Sequence, residues 1–394
     1  MPESRMTKHE IKTAAELFAG GRLTPASDLA GILWAGGERS PELAVLYGEL
    51  ALLGNRLDQA EAALRIALEE LAGHPRLTGL LAETLRRAGR LGEAAGLYRR
   101  LGRLGPAEKL ALLAPLGWYR LSGAGAEIPW LPDSDLPAVE VLVNGSPARF
   151  ILDTGVGETL LDRGIAERLG LESLGVEPIH FPAGPAGEVD HGILSELQLD
   201  ALLVRGVPVQ IHPVRESFAG LLPFPVDGVL GTGLFSQVQT SLDYPRRRLR
   251  LSPGRRLAAG EPLYLAGEQY PLVEARLNDR LDTLLFLDIG MSGAALALPL
   301  STARLANVDL ALDQEGEGYG VGQALQAQPI RCRSLSAAGR TRRDLAGMLI
   351  RGFKLERRFG FRIGGLLGDG FVRGGLLELD FANGLVRLSE PGEE

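Results

Sequence analysis

The chain has 394 residues, enough for two or three domains that each bury a core. Hydrophobic residues make up 45% of it and charged residues 23%, which is typical of a globular protein and excludes a disordered or fibrous one. The formal net charge of −7 provides no general basic field, so we expect no binding to nucleic acid.

Cysteine and histidine usage argues against metal chemistry. The single cysteine, Cys332, cannot form a disulfide within the chain, and neither it nor the five histidines have the spacing of zinc ligands. We therefore expect no metal and no other cofactor. The polar start lacks the apolar core of a signal peptide, and no uncharged apolar stretch approaches the roughly 18 residues that span a bilayer. These features predict a cytoplasmic protein without membrane contact, and the strong preference for Arg over Lys is typical of a GC-rich bacterial genome.

Residues 1–115 are predicted to form paired helices, because Leu, Ala, Glu and Arg recur there with helical spacing and short Gly-containing breaks. A period of 34 residues relates three Arg-Leu pairs and the three alanines that follow them. The landmarks are Arg22-Leu23, Arg56-Leu57 and Arg90-Leu91, with Ala26, Ala60 and Ala94, and Pro41 and Pro75 keep the same register.

This period resembles the tetratricopeptide repeat (TPR) family, although the early Trp and Tyr of the family pattern are missing. An unrelated helical bundle is the alternative. The resemblance implies a concave face that binds a peptide or a partner protein. We further expect the helices and the region that follows them to have separate cores.

Residues 116–135 lose the helical period and gather Gly, Pro and Trp, which predicts a linker. Beyond them, short apolar or alternating runs are broken by Gly, Asn and Pro, as in a β-rich fold with many turns. The fold class predicted for the chain is therefore a helical array followed by an all-β region.

Landmarks in the β-rich region occur twice. A strand, a turn at Asn144-Gly145 and a second strand lead to Asp153-Thr154-Gly155. The same order recurs through Asn278-Asp279 to Asp288-Ile289-Gly290, 135 positions after the first aspartate. Two closing segments also match at an offset of 137, with Gly231 matching Gly368 and Asp243 matching Asp380. These landmarks indicate duplication of one β unit.

An apolar strand, Asp-Thr-Gly and a later Val-Leu-Gly or Leu-Leu-Gly motif resemble the retropepsin-like aspartic proteases. Two copies in one chain resemble the two-lobed arrangement of pepsin. The resemblance covers residues 136–394 and implies a first lobe at 136–255, a second lobe at 260–394 and a pseudo-twofold axis between them.

The resemblance implies that Asp153 and Asp288 are the catalytic pair. One carboxylate activates a water molecule while its protonated partner polarises the peptide carbonyl, so no metal is needed. Supporting roles in the two loops and beneath them fall to a larger set: Thr154, Gly155, Ile289 and Gly290 in the loops, and Val229, Leu230, Gly231, Leu366, Leu367 and Gly368 in the closing motifs.

The second unit departs from the family pattern at two positions. Ile289 stands where the family has Thr or Ser, so half of the hydrogen bonding across the loops is expected to be lost. In the second unit, Gly364 occupies the position that corresponds to Asp227 of the first closing motif. These departures leave catalytic competence as the open question.

A hairpin that covers the substrate is expected between the motifs of each unit. Residues 180–192 are the candidate in the first unit and residues 316–323, with Tyr319, in the second. Surface hairpins are the alternative. The glycines of 316–322 lack a following Gly-Lys-Ser/Thr, which argues against a phosphate loop. Ser292 lacks the Gly-x-Ser-x-Gly setting, which argues against a serine nucleophile. His191 is expected at the surface or in the hairpin.

The leading hypothesis is an aspartic endopeptidase that uses Asp153 and Asp288 on a peptide or protein substrate, with the repeats recruiting a protein. A catalytically inactive, protease-like module that binds peptide is the alternative, favoured by Ile289. A third interpretation is a homodimer that pairs Asp153 of two chains.

Overall fold

The computed structural model describes residues 2–180, 186–310, 316–320, 323–351, 353 and 355–393. The predicted helical region is present. Its helices are α1 Pro2–Ala19, α2 Leu23–Ala35, α3 Pro41–Leu53, α4 Leu57–Glu70, α5 Pro75–Arg87, α6 Leu91–Arg100 and α7 Leu104–Leu113. No helix in the described part of the chain combines the length and apolar character needed to cross a bilayer.

The landmarks of the 34-residue period occupy equivalent places in three helix pairs. Arg22, Arg56 and Arg90 immediately precede α2, α4 and α6, and the three alanines that follow them are fully buried. The residue before each arginine has a positive φ: 77° at Gly21, 54° at Asn55 and 74° at Gly89. A left-handed residue ends the first helix of each pair and turns the chain into the second.

Strands dominate from Arg120 onward. The strands of the first half are β1 Arg120–Ser122, β2 Ala126–Pro129, β3 Ala138–Val143, β4 Ser146–Leu152, β5 Thr159–Asp162, β6 Val176–His180, β7 Ala186–Leu199, β8 Leu202–His212, β9 Gly228–Leu230, β10 Gln239–Asp243 and β11 Arg248–Ser252. Short helices α8 Arg163–Arg168, α9 Val214–Ser217 and α10 Thr232–Phe235 lie between them.

The second half continues in the same style. Its strands are β12 Glu261–Ala266, β13 Tyr270–Leu277, β14 Leu281–Leu287, β15 Leu296–Leu298, β16 Asp309–Leu310, β17 Gly316–Gly320, β18 Gln323–Ala337, β19 Arg340–Ile350, β20 Leu366–Leu367, β21 Leu376–Asp380 and β22 Leu385–Ser389. Its helices are α11 Leu300–Leu305 and α12 Asp369–Val372. Both predicted hairpin turns are present, with left-handed residues at Asn144-Gly145 and at Asn278-Asp279.

One pattern of strand pairing occurs in both halves. In the first, β4 runs parallel to β9, β9 runs antiparallel to β5, and β5 runs parallel to β8. In the second, β14 runs parallel to β20, β20 runs antiparallel to β15, and β15 runs parallel to β19. Each half therefore delivers one strand, β4 or β14, to a loop that begins with aspartate.

The two halves are joined through β10 and β21, which pair antiparallel from Thr240 opposite Leu379 to Asp243 opposite Leu376. Residues 116–135, predicted as a linker, are not a free connection. They contain β1, which pairs with β8, and β2, which pairs with β11. The segment thus belongs to the sheets, because its backbone groups complete their hydrogen bonding there.

The expectation of separate cores is wrong. One hydrophobic cluster contains residues of α1 to α4 together with residues of β12, β13 and β14 and of the segment before β20. Phe18 of α1 packs edge-on against Phe361, with ring centroids 5.3 Å apart. Phe286 of β14, the strand that leads to Asp288, is fully buried in the same cluster. The helices therefore supply part of the core on which the second loop rests.

Deleting residues 1–115 should give a chain that is insoluble or melts without cooperativity, because Phe286, Phe361 and their neighbours would lose the helices that cover them. Solubility and thermal melts of residues 116–394 test this. Coexpression of residues 1–115 as a separate chain is the control and should restore a soluble complex. A cooperative melt of residues 116–394 alone would contradict the shared core.

Candidate active site

Two equivalent backbone hydrogen bonds position the aspartates at the ends of β4 and β14. The Asp153 N–H donates to the Leu230 carbonyl at 3.1 Å, and the Asp288 N–H donates to the Leu367 carbonyl at 2.9 Å. The closing-motif side chains beneath the loops, Val229, Leu230, Leu366 and Leu367, are all buried. A rigid pair of parallel strands thus stands behind each carboxyl group.

The structure brings Asp153 and Asp288 together although 135 positions separate them. Their carboxyl groups are hydrogen-bonded to each other. Asp153 is 8% exposed, and its Oδ1 accepts the Gly155 N–H at 2.6 Å. Oδ1 of Asp288 accepts the Met291 N–H at 3.1 Å. Both carboxyls are therefore held by their own loops as well as by each other.

Space, and not backbone conformation, requires glycine at four of the predicted support positions. A Cβ on Gly155 would lie 2.9 Å from Oδ1 of Asp153, and one on Gly290 would lie 2.6 Å from Oδ2 of Asp153. A Cβ on Gly231 would lie 2.7 Å from the carbonyl oxygen of Glu158, and one on Gly368 would lie 2.5 Å from that of Ala294. A side chain at any of them would push the loops or carboxyls apart.

The electrostatic setting keeps a proton on the pair. Burial raises the pKa of Asp153, against the hydrogen bonds from Gly155, Asp288 and Gly290. Burial, the negative charge of Asp153 and the hydrogen bond with it raise the pKa of Asp288 well above its ordinary range. Two carboxyls in contact cannot both ionise at low cost. The two carboxyl groups therefore hold one proton between them.

One hydroxyl group ties the two loops together. Oγ1 of Thr154 donates to the Leu287 carbonyl at 2.6 Å and accepts the Ile289 N–H at 3.1 Å, and Thr154 is fully buried. The side chain of Ile289 is 0% exposed and packs in the main hydrophobic core. The isoleucine side chain has no polar atom that could donate or accept a hydrogen bond. Of these two side chains, only that of Thr154 therefore makes hydrogen bonds across the loops.

The other departure, Gly364 at the position that corresponds to Asp227, has a steric reason. Asp227 accepts the Arg149 N–H at 2.9 Å and two hydrogen bonds from Arg215. At Gly364 a Cβ would lie 2.9 Å from Cγ2 of Thr283, so the second unit leaves no room for a carboxylate. The backbone bonds remain equivalent: the Asp227 N–H donates to the Arg149 carbonyl at 2.8 Å, and the Gly364 N–H to the Leu284 carbonyl at 2.7 Å.

The predicted substrate-covering hairpins lie partly outside the described residues. In the first, β6 and β7 pair from Val176 opposite Asp190 onward, but residues 181–185 are outside the described ranges. In the second, β17 pairs with β18, while residues 321–322 and the side chain of Tyr319 are outside them.

Sequence reasoning missed a cluster beside the first loop. His191, expected at the surface or in the hairpin, is 1% exposed in β7 and contacts Lys109 of α7. Lys109 in turn pairs with Glu158, which follows Asp153 in the same loop. In the sequence, only the rarity of lysine draws attention to Lys109, and this rarity does not show which residues contact it.

Residues 139–234 match the family model described as Aspartyl protease. These residues are therefore similar to an aspartic protease domain. The match includes Asp153 and the first closing motif but ends before Asp288. A crystal structure of a retropepsin-like aspartic protease from Rickettsia conorii is similar at 15% sequence identity, over 34% of this chain and 94% of that chain, with a TM-score of 0.25. Because this TM-score is low, the similarity to aspartic proteases rests on the family match alone. No curated protein matches the chain.

Thr154→Val should lower the free energy of unfolding by about 2–4 kcal/mol, because the buried Leu287 carbonyl and Ile289 N–H would both lose their partner. Thr154→Ser is the matched control. It keeps the hydroxyl and should cost only about 1 kcal/mol for the lost methyl group. Urea unfolding of the three proteins measures the difference, and equal losses in both variants would rule out the cross-loop hydrogen bonds as its source.

Asp288→Asn should raise the melting temperature by an amount that grows with pH. The raised pKa means that folded Asp288 keeps its proton where the unfolded chain ionises, so the wild type loses stability as pH rises above about 4 towards the folded pKa. Asparagine does not ionise, and its amide oxygen can still accept the Met291 N–H.

Thermal melts between about pH 4 and about pH 8 test this expectation. The control is Asp282→Asn, which alters an exposed aspartate on the same strand. A melting difference between wild type and Asp288→Asn that does not vary with pH would contradict the raised pKa.

Proposed function

We propose that the protein is an aspartic endopeptidase in which Asp153 and Asp288 activate a water molecule against a peptide carbonyl. The observation that carries the proposal is the contact between the buried carboxyl groups of Asp153 and Asp288, which come from loops 135 positions apart and whose pKa values are both raised by burial. Acid–base hydrolysis by this route needs such a pair and no other reactive group.

The singly protonated pair supports a balanced reaction. Asp153 takes one proton from a water molecule as its oxygen attacks the carbonyl carbon, and Asp288 gives its proton to the carbonyl oxygen. The resulting diol collapses when the C–N bond breaks. Asp153 then gives its proton to the leaving nitrogen, while a hydroxyl of the diol returns a proton to Asp288. The products are a carboxylic acid and an amine, and the pair is regenerated.

A two-lobed arrangement completes the proposal, with lobes at 136–255 and 260–394. Its support is the pattern of parallel and antiparallel pairings that occurs in both halves, together with the β10–β21 junction. In this arrangement each lobe supplies one aspartate. Thr154 compensates in part for Ile289, because its hydroxyl is hydrogen-bonded to the backbone on both sides of Asp288.

We assign residues 1–115 to TPR-like repeats that recruit a protein substrate or partner. Contacts of the array with the β region restrict where this could occur. Phe18 of α1, Leu50 of α3, Arg87 of α5 and Lys109 of α7 all contact the β region or share a core with it. A recruited protein would therefore use the outward face of α4 and α6, where Arg65, Arg99 and Arg100 are exposed.

Asp153→Asn and Asp288→Asn should each lower kcat/KM by about 10³-fold or more, and the double variant should lose little further, since the two groups act as one unit. Wild-type activity should follow a bell-shaped pH profile that belongs to the pair. The measurement is cleavage of an unstructured protein across pH, with thermal melts as the folding control.

Two outcomes would replace the proposal. Full activity of Asp288→Asn would favour a homodimer that pairs Asp153 of two chains. Binding of peptide without cleavage by the wild type at any pH would favour the inactive binding module.

A further inference from the structure

Helix α7 places a buried ammonium group beside the first loop. Lys109 is 1% exposed and is among the largest fully buried side chains of the described chain. An unpaired buried charge is costly, so such a group requires an anion and further hydrogen bonds. Its Nζ donates to Oε2 of Glu158 and, at 2.8 Å, to Nδ1 of His191. Because an ammonium only donates, Nδ1 accepts, and the ring proton lies on Nε2, 3.4 Å from Oε2 of Glu177.

Glu158 ends the loop that Asp153 begins. The backbone of this loop is already held by α10, which follows the first closing motif: the carbonyl of Val156 accepts the Thr232 N–H at 2.9 Å, and that of Gly157 accepts the Gly233 N–H at 2.7 Å. The side chain of Glu158 adds a tether to the helical array. Burial acts to raise the pKa of Glu158, but the charges of Lys109 and Arg86 and the hydrogen bond from Lys109 keep it below its ordinary value, so the tether is an ion pair.

The array also holds the second half at this point. Arg87 of α5 donates to the carbonyls of Leu265 and Gly267 at 3.2 and 2.8 Å. The turn between β12 and β13 lies against the first loop, since a Cβ on Gly157 would lie 2.6 Å from that of Glu268. It also contacts α10, where Oγ1 of Thr232 donates to the Glu268 carbonyl at 3.3 Å. Helices, first loop and second half therefore meet within a few residues of Asp153.

We propose that Lys109 is a positioning residue for the carboxyl pair: through Glu158 it holds the loop of Asp153 against Asp288, which makes the helical array part of the catalytic unit. The proposal rests on the proposed endopeptidase function for its kinetic consequences, but the distance between the carboxyls does not depend on activity.

Lys109→Met should lower kcat by about 10- to 100-fold, because small displacements of reacting groups are costly. KM should stay within about twofold, since Lys109 is not expected to contact substrate. The pH profile should also narrow. Two carboxyls in contact titrate with widely separated apparent pKa values, and that separation shrinks as they move apart. Lys109→Arg should restore part of kcat and of the profile width.

Two further variants separate positioning from loss of stability. Lys109→Met/Glu158→Gln removes the pair without leaving a buried carboxylate unpaired, so it should fold yet keep the low kcat. Arg76→Met is the matched control, because the Arg76–Glu49 pair joins α5 to α3 without touching the loop. It should lower the melting temperature but leave the pH profile unchanged.

Titration of the Asp153 and Asp288 carboxyl carbons by NMR gives a readout that needs no activity. A smaller gap between the two apparent pKa values in Lys109→Met than in wild type supports the proposal, even if the wild type cleaves nothing and the endopeptidase function fails. An unchanged gap in folded Lys109→Met would overturn it, as would an equal reduction of the gap in Arg76→Met.

Discussion

The surrounding structure must hold the carboxyl groups of Asp153 and Asp288 in hydrogen-bonding contact. Two carboxylates this close repel each other, and burial strengthens that repulsion, so the pair is stable only with a shared proton and with loops that cannot move apart. Parallel strand pairs behind each aspartate, glycines that leave room for the carboxyls and the hydroxyl of Thr154 all serve this requirement. The same constraint that makes the pair costly makes it chemically useful.

The two loops meet this requirement unequally. The hydroxyl of Thr154 is hydrogen-bonded to the second loop as both donor and acceptor, whereas the side chain of Ile289 contributes only packing to the core. Asp227 and its arginine partner likewise have no equivalent at Gly364. The hydroxyl of Thr154 and the Asp227–Arg215 pair thus have no counterpart at Ile289 and Gly364, while Phe286 of β14, the strand that leads to Asp288, lies in a core shared with α1 to α4.

The helical array is thus more than an appended module. It covers apolar strands of the second half, pairs a lysine with the first loop and anchors the turn between β12 and β13. Shared hydrophobic surface links the folding of the two regions, and the buried ion pair links α7 to the loop of Asp153. A protein that bound the array and shifted α7 would act on the loop through the same contacts.

Local patterns in the sequence were sufficient to predict the helices of residues 1–115 and the turns at Asn144-Gly145 and Asn278-Asp279, because both depend on a spacing or a backbone preference that neighbouring residues express by themselves. The aspartate loops and their closing motifs were predicted from the duplicated landmarks and from the family resemblance. Only the tertiary structure decided that residues 116–135 join the sheets, that the helices share a core with β12 to β14 and that Lys109 and His191 are buried beside Glu158. These contacts join residues tens to hundreds of positions apart, and a lysine or histidine has the same local sequence signal at a surface as in a buried pair, since its burial depends on the partner that the fold brings to it.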